Sequence, residues 1–291
     1  MIISCSRRTD IPAFYSDWFF NRLQAGFVEV RNPRNPGQIK TVSLLPDFMD
    51  GFVFWTKNPA PMLPKLDLLN DYPFYFHFSL TPYGSDIEPH LPPKSECLDT
   101  FRRLSDAISP RRAIWRYDPV VFSRNIGLAY HEDAFGNLAR QLAGFTKRCV
   151  ISFVDLYRHI AKRMAAISLR APDEDETRQL GNLISEIAAS FGITVETCAE
   201  QIDLSADGIK HARCIDDRLM SEISGKPLFL PKDRYQRKVC GCVASVDIGA
   251  YNTCGHQCAY CYANISQKQI EQNRSRHHDR SPLLIGEIGG R

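Results

Sequence analysis

Three cysteines near the C-terminal end of the chain have a spacing that favours a metal centre. Cys254, Cys258 and Cys261 follow the pattern C-x3-C-x2-C within one short stretch. Three thiolates in a tight loop can hold three irons of a cubane [4Fe–4S] cluster, whereas a cluster that only transfers electrons has four cysteine ligands. The fourth iron then has no protein ligand and can chelate the amino and carboxylate groups of S-adenosylmethionine. We therefore predict a [4Fe–4S] cluster and S-adenosylmethionine as cofactors.

The chemistry expected of such a cluster is the reductive cleavage of S-adenosylmethionine. This cleavage gives methionine and a 5′-deoxyadenosyl radical, which abstracts a hydrogen atom from a substrate. Two alternatives stay open. The first is a non-catalytic zinc or iron–sulfur protein that binds nucleic acid or a protein partner, with Cys240, Cys242 or His256 as a fourth ligand. The second is a redox protein whose cluster only carries electrons.

Four further cysteines form a candidate second metal site. Cys240 and Cys242 lie just before the C-x3-C-x2-C motif, and a Cys-x-Cys pair can place both sulfurs on one ion. Cys198 and Cys214 are the proposed partners of this pair. Four thiolates would hold either zinc or an auxiliary [4Fe–4S] cluster. The alternative for each of these cysteines is a small buried hydrophobic side chain.

Polar side chains follow several of the predicted strands. The candidate catalytic residues among them are Arg7, Asp10, Lys57, Arg116 and Asp118. Arginine forks match carboxylates, so Arg7 is a candidate for binding the methionine carboxylate or an anionic substrate. Glu196 and Glu200 flank Cys198, and Glu196 is the candidate for binding ribose hydroxyls. For all of these residues the alternative is an ordinary ion pair or a solvated loop charge.

The elements that must position these residues alternate along the chain. Short apolar runs rich in Val, Ile, Phe, Tyr and Trp predict buried strands at residues 2–5, 51–55, 74–80, 113–116, 149–154, 193–197 and 244–248. Capping and stop signals predict helices at residues 16–23, from 95 to before Pro110, 173–191 and 263–272. Alternating strands and helices imply parallel pairing. We expect one α/β domain over residues 1–291, a (β/α) barrel that is complete or partial.

The cysteine stretch also resembles the cluster loop of radical SAM proteins. The similar segment runs from Asp247 to Asn264, and the aromatic residue before the third cysteine, Tyr260, matches the position whose backbone usually meets the adenine. More closely, nearly the whole chain resembles domain of unknown function family 1848, which has a C-terminal cysteine cluster of this type. This resemblance includes Lys232-Asp233, Gln236-Arg237 and Cys240-Gly-Cys242.

The position of the cluster loop departs from the usual radical SAM order. In most of those enzymes the loop follows the first barrel strand, but here it follows the last predicted strand. A circularly permuted barrel explains this, with the strand at 244–248 beside the strand at 2–5. The turns are loosely similar to strand-end motifs of the spore photoproduct lyase family: Thr9-Asp10-Ile-Pro12, Thr56-Lys57-Asn58, Ser79-Leu-Thr81 and Arg116-Tyr-Asp118-Pro119. The resemblance adds Ser79 and Tyr260 as cofactor-binding candidates and a flavodoxin or ferredoxin as electron donor.

Composition and charge bound the remaining questions. The chain has 291 residues, 44% hydrophobic and 24% charged, with a net charge of +3 that is too small to indicate nucleic-acid binding by itself. No apolar stretch approaches a membrane span, and residues 1–10 lack an apolar signal core. We expect a cytoplasmic protein without membrane contact. Residues 240–273 carry the cluster segment and 274–291 form a basic tail. A nucleic-acid-derived substrate is one expectation among many, because the sequence does not name the substrate.

Overall fold

The computed structural model describes residues 1–287, and its strands carry most of the architecture. Ten strands are present in these residues. Their bounds are β1 Ile2–Cys5, β2 Phe27–Arg31, β3 Ile39–Ser43, β4 Gly51–Thr56, β5 Phe74–Ser79, β6 Ala113–Val120, β7 Arg148–Phe153, β8 Thr194–Thr197, β9 Lys210–His211 and β10 Ser245–Asp247. All seven predicted strand segments are confirmed, with boundaries that differ by at most a few residues.

Eight strands form one parallel sheet in the order β10-β1-β4-β5-β6-β7-β8-β9, and β2 and β3 form a separate antiparallel hairpin. The last strand in the chain, β10, pairs in parallel with the first, with Ile2 opposite Ser245 and Ser4 opposite Asp247. The predicted neighbourhood of these two strands is therefore confirmed. The α/β class is also confirmed. A complete barrel is not observed, since among the described residues β9 and β10 end the sheet without pairing to each other.

Helices connect the strands, and α2, α3, α4 and α6 pack on one face of the sheet while α7 packs on the other. Their bounds are α1 Ile11–Phe14, α2 Ser16–Ala25, α3 Lys94–Ile108, α4 Leu128–Leu142, α5 Ala161–Ala166, α6 Glu174–Ser190, α7 Asp217–Ser224 and α8 Gln267–Ser275. Short 3-10 turns lie at Pro46–Phe48, Leu63–Leu69 and Ser205–Asp207.

Two helix ends follow their sequence signals closely. Asp173 caps α6 in a full capping box with Glu176, which satisfies two backbone N–H groups of the first turn. Gly26 ends α2 with φ +78°, a left-handed conformation that glycine adopts without strain.

Three helix predictions need correction. Ser16 is the first residue of α2 rather than its cap, and α3 starts at Lys94 after Pro93 rather than at a Ser95 cap. The helix predicted at 263–272 lies instead at Gln267–Ser275. Residues 263–266 remain non-helical, and the Asn264 side chain donates a hydrogen bond to the carbonyl of Cys254.

The sheet has two packed faces because successive residues of a strand point to opposite sides. On one face Phe54, Phe76 and Trp115 pack in the main core with the helices. On the other face Ile2, Val53, Tyr75, Ile114 and Val150 pack against the chain between Ala212 and Val243. We call residues 212–243 the crossing segment, because it leads from the β9 edge of the sheet to the β10 edge. No helix within the described residues is long and apolar enough to cross a membrane.

Candidate functional site

Polar side chains and cysteines meet in a cavity at the carboxyl edge of the parallel sheet. This strand-end cavity has a volume of about 530 Å³. Residues from the ends of β1, β4, β5, β6, β7 and β8 line it, together with both groups of cysteines. In open parallel α/β sheets, ligands bind outside the carboxyl ends of the strands. The cavity is therefore the candidate site, and every catalytic residue predicted from the sequence lines it.

The segment from Gly249 to Asn264, here called the cysteine loop, follows β10 and is tied to its surroundings by hydrogen bonds. The backbone N–H of Ala259 donates to the Ile87 carbonyl at 2.8 Å. The Tyr15 hydroxyl donates to the Thr253 carbonyl at 2.7 Å. These bonds come from segments far away in the chain, so the loop conformation is set by the whole fold.

Arg163 on α5 holds the middle of the cysteine loop. Its guanidinium donates to the carbonyls of Ala259, Cys261 and Asn264 at 2.6, 2.7 and 3.1 Å. A planar guanidinium can satisfy three acceptors at fixed angles, which a lysine cannot do. Sequence reasoning missed Arg163, because no local pattern links it to a loop about a hundred residues away.

Two backbone features let the loop turn sharply between its cysteines. Gln257, just before Cys258, has φ +54°, which is uncommon for a residue with a side chain. A Cβ atom at Gly255 would lie 2.1 Å from the Arg274 guanidinium and 2.8 Å from the Phe14 ring. Only glycine fits at that position without movement of its neighbours.

The three motif cysteines are free thiols that line the strand-end cavity. Burial raises the pKa of Cys258 to about 12, and the nearby Lys57 ammonium opposes this rise. Burial also raises the pKa of Cys254 and of Cys261. A bound metal would replace the proton of each thiol. Three free cysteines in one loop, facing a cavity, fit an iron–sulfur cluster with three protein ligands.

As the side chains of residues 1–287 stand, no group of three or more His, Cys, Asp or Glu is arranged to hold a single metal ion. A cubane cluster has a different requirement, because each cysteine binds its own iron and the sulfurs stand further apart. His256 is poorly placed as the fourth ligand of the zinc alternative. Its Nε2 lies 2.9 Å from an Asp10 carboxylate oxygen, and its ring packs edge-on against Phe14.

Asp10 links three parts of the site. One carboxylate oxygen accepts from the backbone N–H of Ala13 and caps α1 at 2.9 Å. The other accepts from the backbone N–H of Lys57 at 2.7 Å and contacts His256 of the cysteine loop. The carboxylate is therefore held by protein partners at the wall of the cavity, and the catalytic role of Asp10 stays a prediction.

Asp247 at the end of β10 joins the cysteine segment to β1. Its carboxylate accepts from the hydroxyl groups of Ser4 and Ser6 at 2.8 and 2.5 Å and from the backbone N–H of Arg7 at 2.9 Å. The Arg7 guanidinium lies 3.9 Å from Asp247 and 3.8 Å from Asp233, so both ion pairs are long. Arg7 can therefore turn toward a ligand at small cost.

Glu88 is a buried carboxylate that sequence reasoning missed. It is 2% exposed and contacts the ammonium groups of Lys57 at 2.7 Å and Lys94 at 2.5 Å. Its oxygens also accept hydrogen bonds from the hydroxyl groups of Thr81 and Tyr260. Burial opposes ionisation, but the two lysines prevail and lower the pKa of Glu88 to about 2. Glu88 thus holds two predicted site residues in place, Lys57 by an ion pair and Tyr260 by a hydrogen bond.

Arg116 and Asp118 form an ion pair within β6, in which two guanidinium N–H groups donate to one carboxylate oxygen at 2.6 and 2.9 Å. Both line the cavity, as Ser79 at the end of β5 does. Glu196 does not line it, because its carboxylate is held by Arg148 at 2.6 and 2.9 Å. Glu200 lines the cavity instead, and burial raises its pKa to about 7.

An eight-stranded parallel sheet with cysteines and charged side chains at its carboxyl edge defines an α/β protein with a strand-end site. The chain belongs to the family described as domain of unknown function (DUF1848), whose model matches residues 2–263. No curated protein matches the chain. The predicted membership of this family is confirmed.

Proposed function

We propose that the protein is a radical SAM enzyme that binds a [4Fe–4S] cluster through Cys254, Cys258 and Cys261. One observation carries the proposal. The loop with these three cysteines leaves a strand that lies parallel to β1, and the three side chains line the cavity at the strand ends. A cluster held there supplies the electron that cleaves S-adenosylmethionine to methionine and a 5′-deoxyadenosyl radical.

Two buried polar atoms of the cavity wall support a ligand of this size and polarity. Thr9 Oγ1 and Asn264 Oδ1 have no hydrogen-bond partner in the described protein. A buried polar atom without a partner costs about 1–3 kcal/mol, so such atoms usually pair with a ligand or water. We assign them to binding S-adenosylmethionine, with Arg7 as the partner of its carboxylate.

The charges around the cysteine loop fit the same role. A cluster with three thiolates is anionic, and Lys57 and Arg163 stand near Cys258 and Cys261. The Lys57 ammonium also lies 5.5 Å from the centre of the Tyr260 ring. Because Glu88 fixes both side chains, we assign Lys57 and Tyr260 to orienting the bound cofactor and the loop.

The sheet itself supports the permuted arrangement. We infer that the eight strands form a partial barrel in which β10 takes the place of the usual first strand. The crossing segment, which includes α7, packs on the face opposite α2, α3, α4 and α6, where a barrel has its interior. Neighbouring strands need not be consecutive in the chain, so the permuted order leaves the site intact.

The test is anaerobic reconstitution with iron, sulfide, dithionite and S-adenosylmethionine, followed by assay of 5′-deoxyadenosine. We expect the wild-type chain to form it and the single variants Cys254→Ala, Cys258→Ala and Cys261→Ala to lose activity while staying folded. The matched control is Cys97→Ala, because Cys97 is a buried cysteine of α3 that does not line the cavity. If all three variants still form 5′-deoxyadenosine, the assignment is wrong.

A further inference from the structure

Cys198, Cys214, Cys240 and Cys242 come together on the other side of the strand-end cavity. The sulfurs of Cys198 and Cys214 lie 3.3 Å apart. Cys240 and Cys242, separated only by Gly241, line the same cavity as Cys198 and Cys214. The end of β8, the start of the crossing segment and its end thus bring four thiols to one wall of the cavity.

We propose that these four cysteines bind one thiophilic divalent metal ion, and we take Zn²⁺ as the ion to test. With Zn–S bonds of about 2.3 Å, a tetrahedral site places neighbouring sulfurs about 3.8 Å apart. The separation of the Cys198 and Cys214 sulfurs, 3.3 Å, is close to this value. This site would be closed by protein ligands and independent of the proposed radical SAM function.

The four sulfurs do not yet surround one point as the side chains stand. Each cysteine has three staggered χ1 positions, so metal binding at this site requires that sulfurs change their χ1 rotamers to face one centre. Binding would release the four thiol protons to solvent and leave four thiolates on the ion.

The surroundings fit the charge of such a site. Zn²⁺ with four thiolates carries a net charge of −2, and two guanidinium groups stand beside the thiols. Arg116 donates a hydrogen bond to the Cys214 sulfur at 3.1 Å, and Arg116 is 5% exposed. Arg7 lines the same cavity as Cys242. In addition, the backbone N–H of Ile215 donates to the Cys242 sulfur at 3.4 Å. Such outer hydrogen bonds orient metal ligands.

Gly241 allows the close approach that brings the two ends of the crossing segment together. A Cβ atom at this position would lie 2.9 Å from the Ala212 carbonyl oxygen and 3.0 Å from the Arg213 side chain. The backbone between Cys240 and Cys242 can therefore pack directly beside the chain that leads to Cys214. A metal here would fasten the crossing segment at both ends, across the gap between the two edge strands of the open sheet.

The experiment uses the full chain with Cys254, Cys258 and Cys261 all changed to Ala, which removes the proposed cluster. Purified with Zn²⁺ present and then dialysed, this chain should retain about one zinc and no iron or sulfide. The added change Cys242→Ser or Cys198→Ser should reduce zinc to near zero, while the added control Cys97→Ser should leave it unchanged. Circular dichroism checks that each variant is folded.

Three outcomes would overturn the proposal. These are folded triple-variant protein that binds no zinc, that binds about four irons with sulfide, or that carries a Cys198–Cys214 disulfide in mass spectrometry. If the triple variant does not fold, metal analysis of the wild-type chain decides, since one zinc beyond the reconstituted cluster is expected there. Because the assay counts metal and not 5′-deoxyadenosine, its result is separate from that of the radical SAM test.

Discussion

The change Glu88→Gln tests how the site is held together. Glutamine keeps the size of the side chain but removes the charge that faces Lys57 and Lys94. Glu88 is 2% exposed, so water cannot replace the lost interactions. The fall of its pKa from 4.5 to about 2 corresponds to roughly 3 kcal/mol, at about 1.4 kcal/mol per pKa unit. Breaking a buried ion pair by removing one partner typically costs a similar 3–5 kcal/mol.

The expected result is a loss of about 3 kcal/mol in the free energy of unfolding at pH 7. For a chain of this size the melting temperature should fall by roughly 6–12 °C. The sign of the pH dependence follows from the lowered pKa. The stabilisation that the ionised Glu88 gives the folded state is complete above the unfolded-state pKa of about 4.5 and is lost as the pH falls toward 2. The difference in the free energy of unfolding between wild type and variant should therefore be smaller at pH 3.5 than at pH 7.

The assay is urea unfolding followed by circular dichroism at both pH values. The matched control is Glu132→Gln, an exposed carboxylate on α4 that should change stability by less than about 0.5 kcal/mol. A Glu88→Gln effect below about 1 kcal/mol at pH 7, or one that stays constant down to pH 3.5, would refute the reasoning.

Two further changes test the contacts of Arg163 with the cysteine loop and the protonation of Glu200 in the cavity. Arg163→Ala should speed the loss of cluster iron to a chelator several-fold, because three carbonyls of the cysteine loop lose their hydrogen-bond donor. Arg163→Lys should not restore the wild-type rate. Equal rates of iron loss in all three proteins would show that Arg163 does not hold the loop. Burial raises the pKa of Glu200 to about 7, so the folded state binds the proton of this carboxyl more tightly than the unfolded state does. The free energy of unfolding should therefore fall as the pH rises from about 4.5 through 7. Glu200→Gln should remove about 1–2 kcal/mol of this pH dependence, given partial exposure, and thermal unfolding at pH 5 and pH 8 that shows the same slope in both proteins would contradict it.

The sequence was informative where the signal is local. The strands are short apolar runs, and the two residues that define the ends of α6 and α2, Asp173 and Gly26, act through their own neighbours in the chain. The spacing of Cys254, Cys258 and Cys261 is likewise a local pattern. The sequence also indicates where strands end, because a polar residue directly after a buried apolar run is expected at the edge of the sheet. Arg7, Lys57 and the pair Arg116–Asp118 were found in this way.

Residues that act across the fold carry no such local signal. Glu88 lies in a loop, and its role depends on two lysines and a tyrosine that only the folded chain brings together. Arg163 sits on a short helix whose sequence is unremarkable. Glu196 shows the opposite case. It lies next to the end of β8, but Arg148 on the neighbouring strand pairs with it and it does not line the cavity. Which side chain a charged residue pairs with depends on the tertiary structure, so its position in the sequence alone does not determine the pair.

The order of the strands explains why the cysteine loop can stand at the end of the chain. A site at the carboxyl edge depends on which strand ends are neighbours in space, and β10 is held beside β1 by a parallel ladder and by Asp247, which accepts from Ser4 and Ser6. The crossing segment packs on the face opposite the main core, since it connects opposite edges of the sheet. Cys214 lies near its start and Cys240 and Cys242 near its end, where a metal shared with Cys198 would have the greatest effect on how firmly β10 is held. On this argument, loss of the second metal should loosen the cysteine loop even though no residue of the loop binds it.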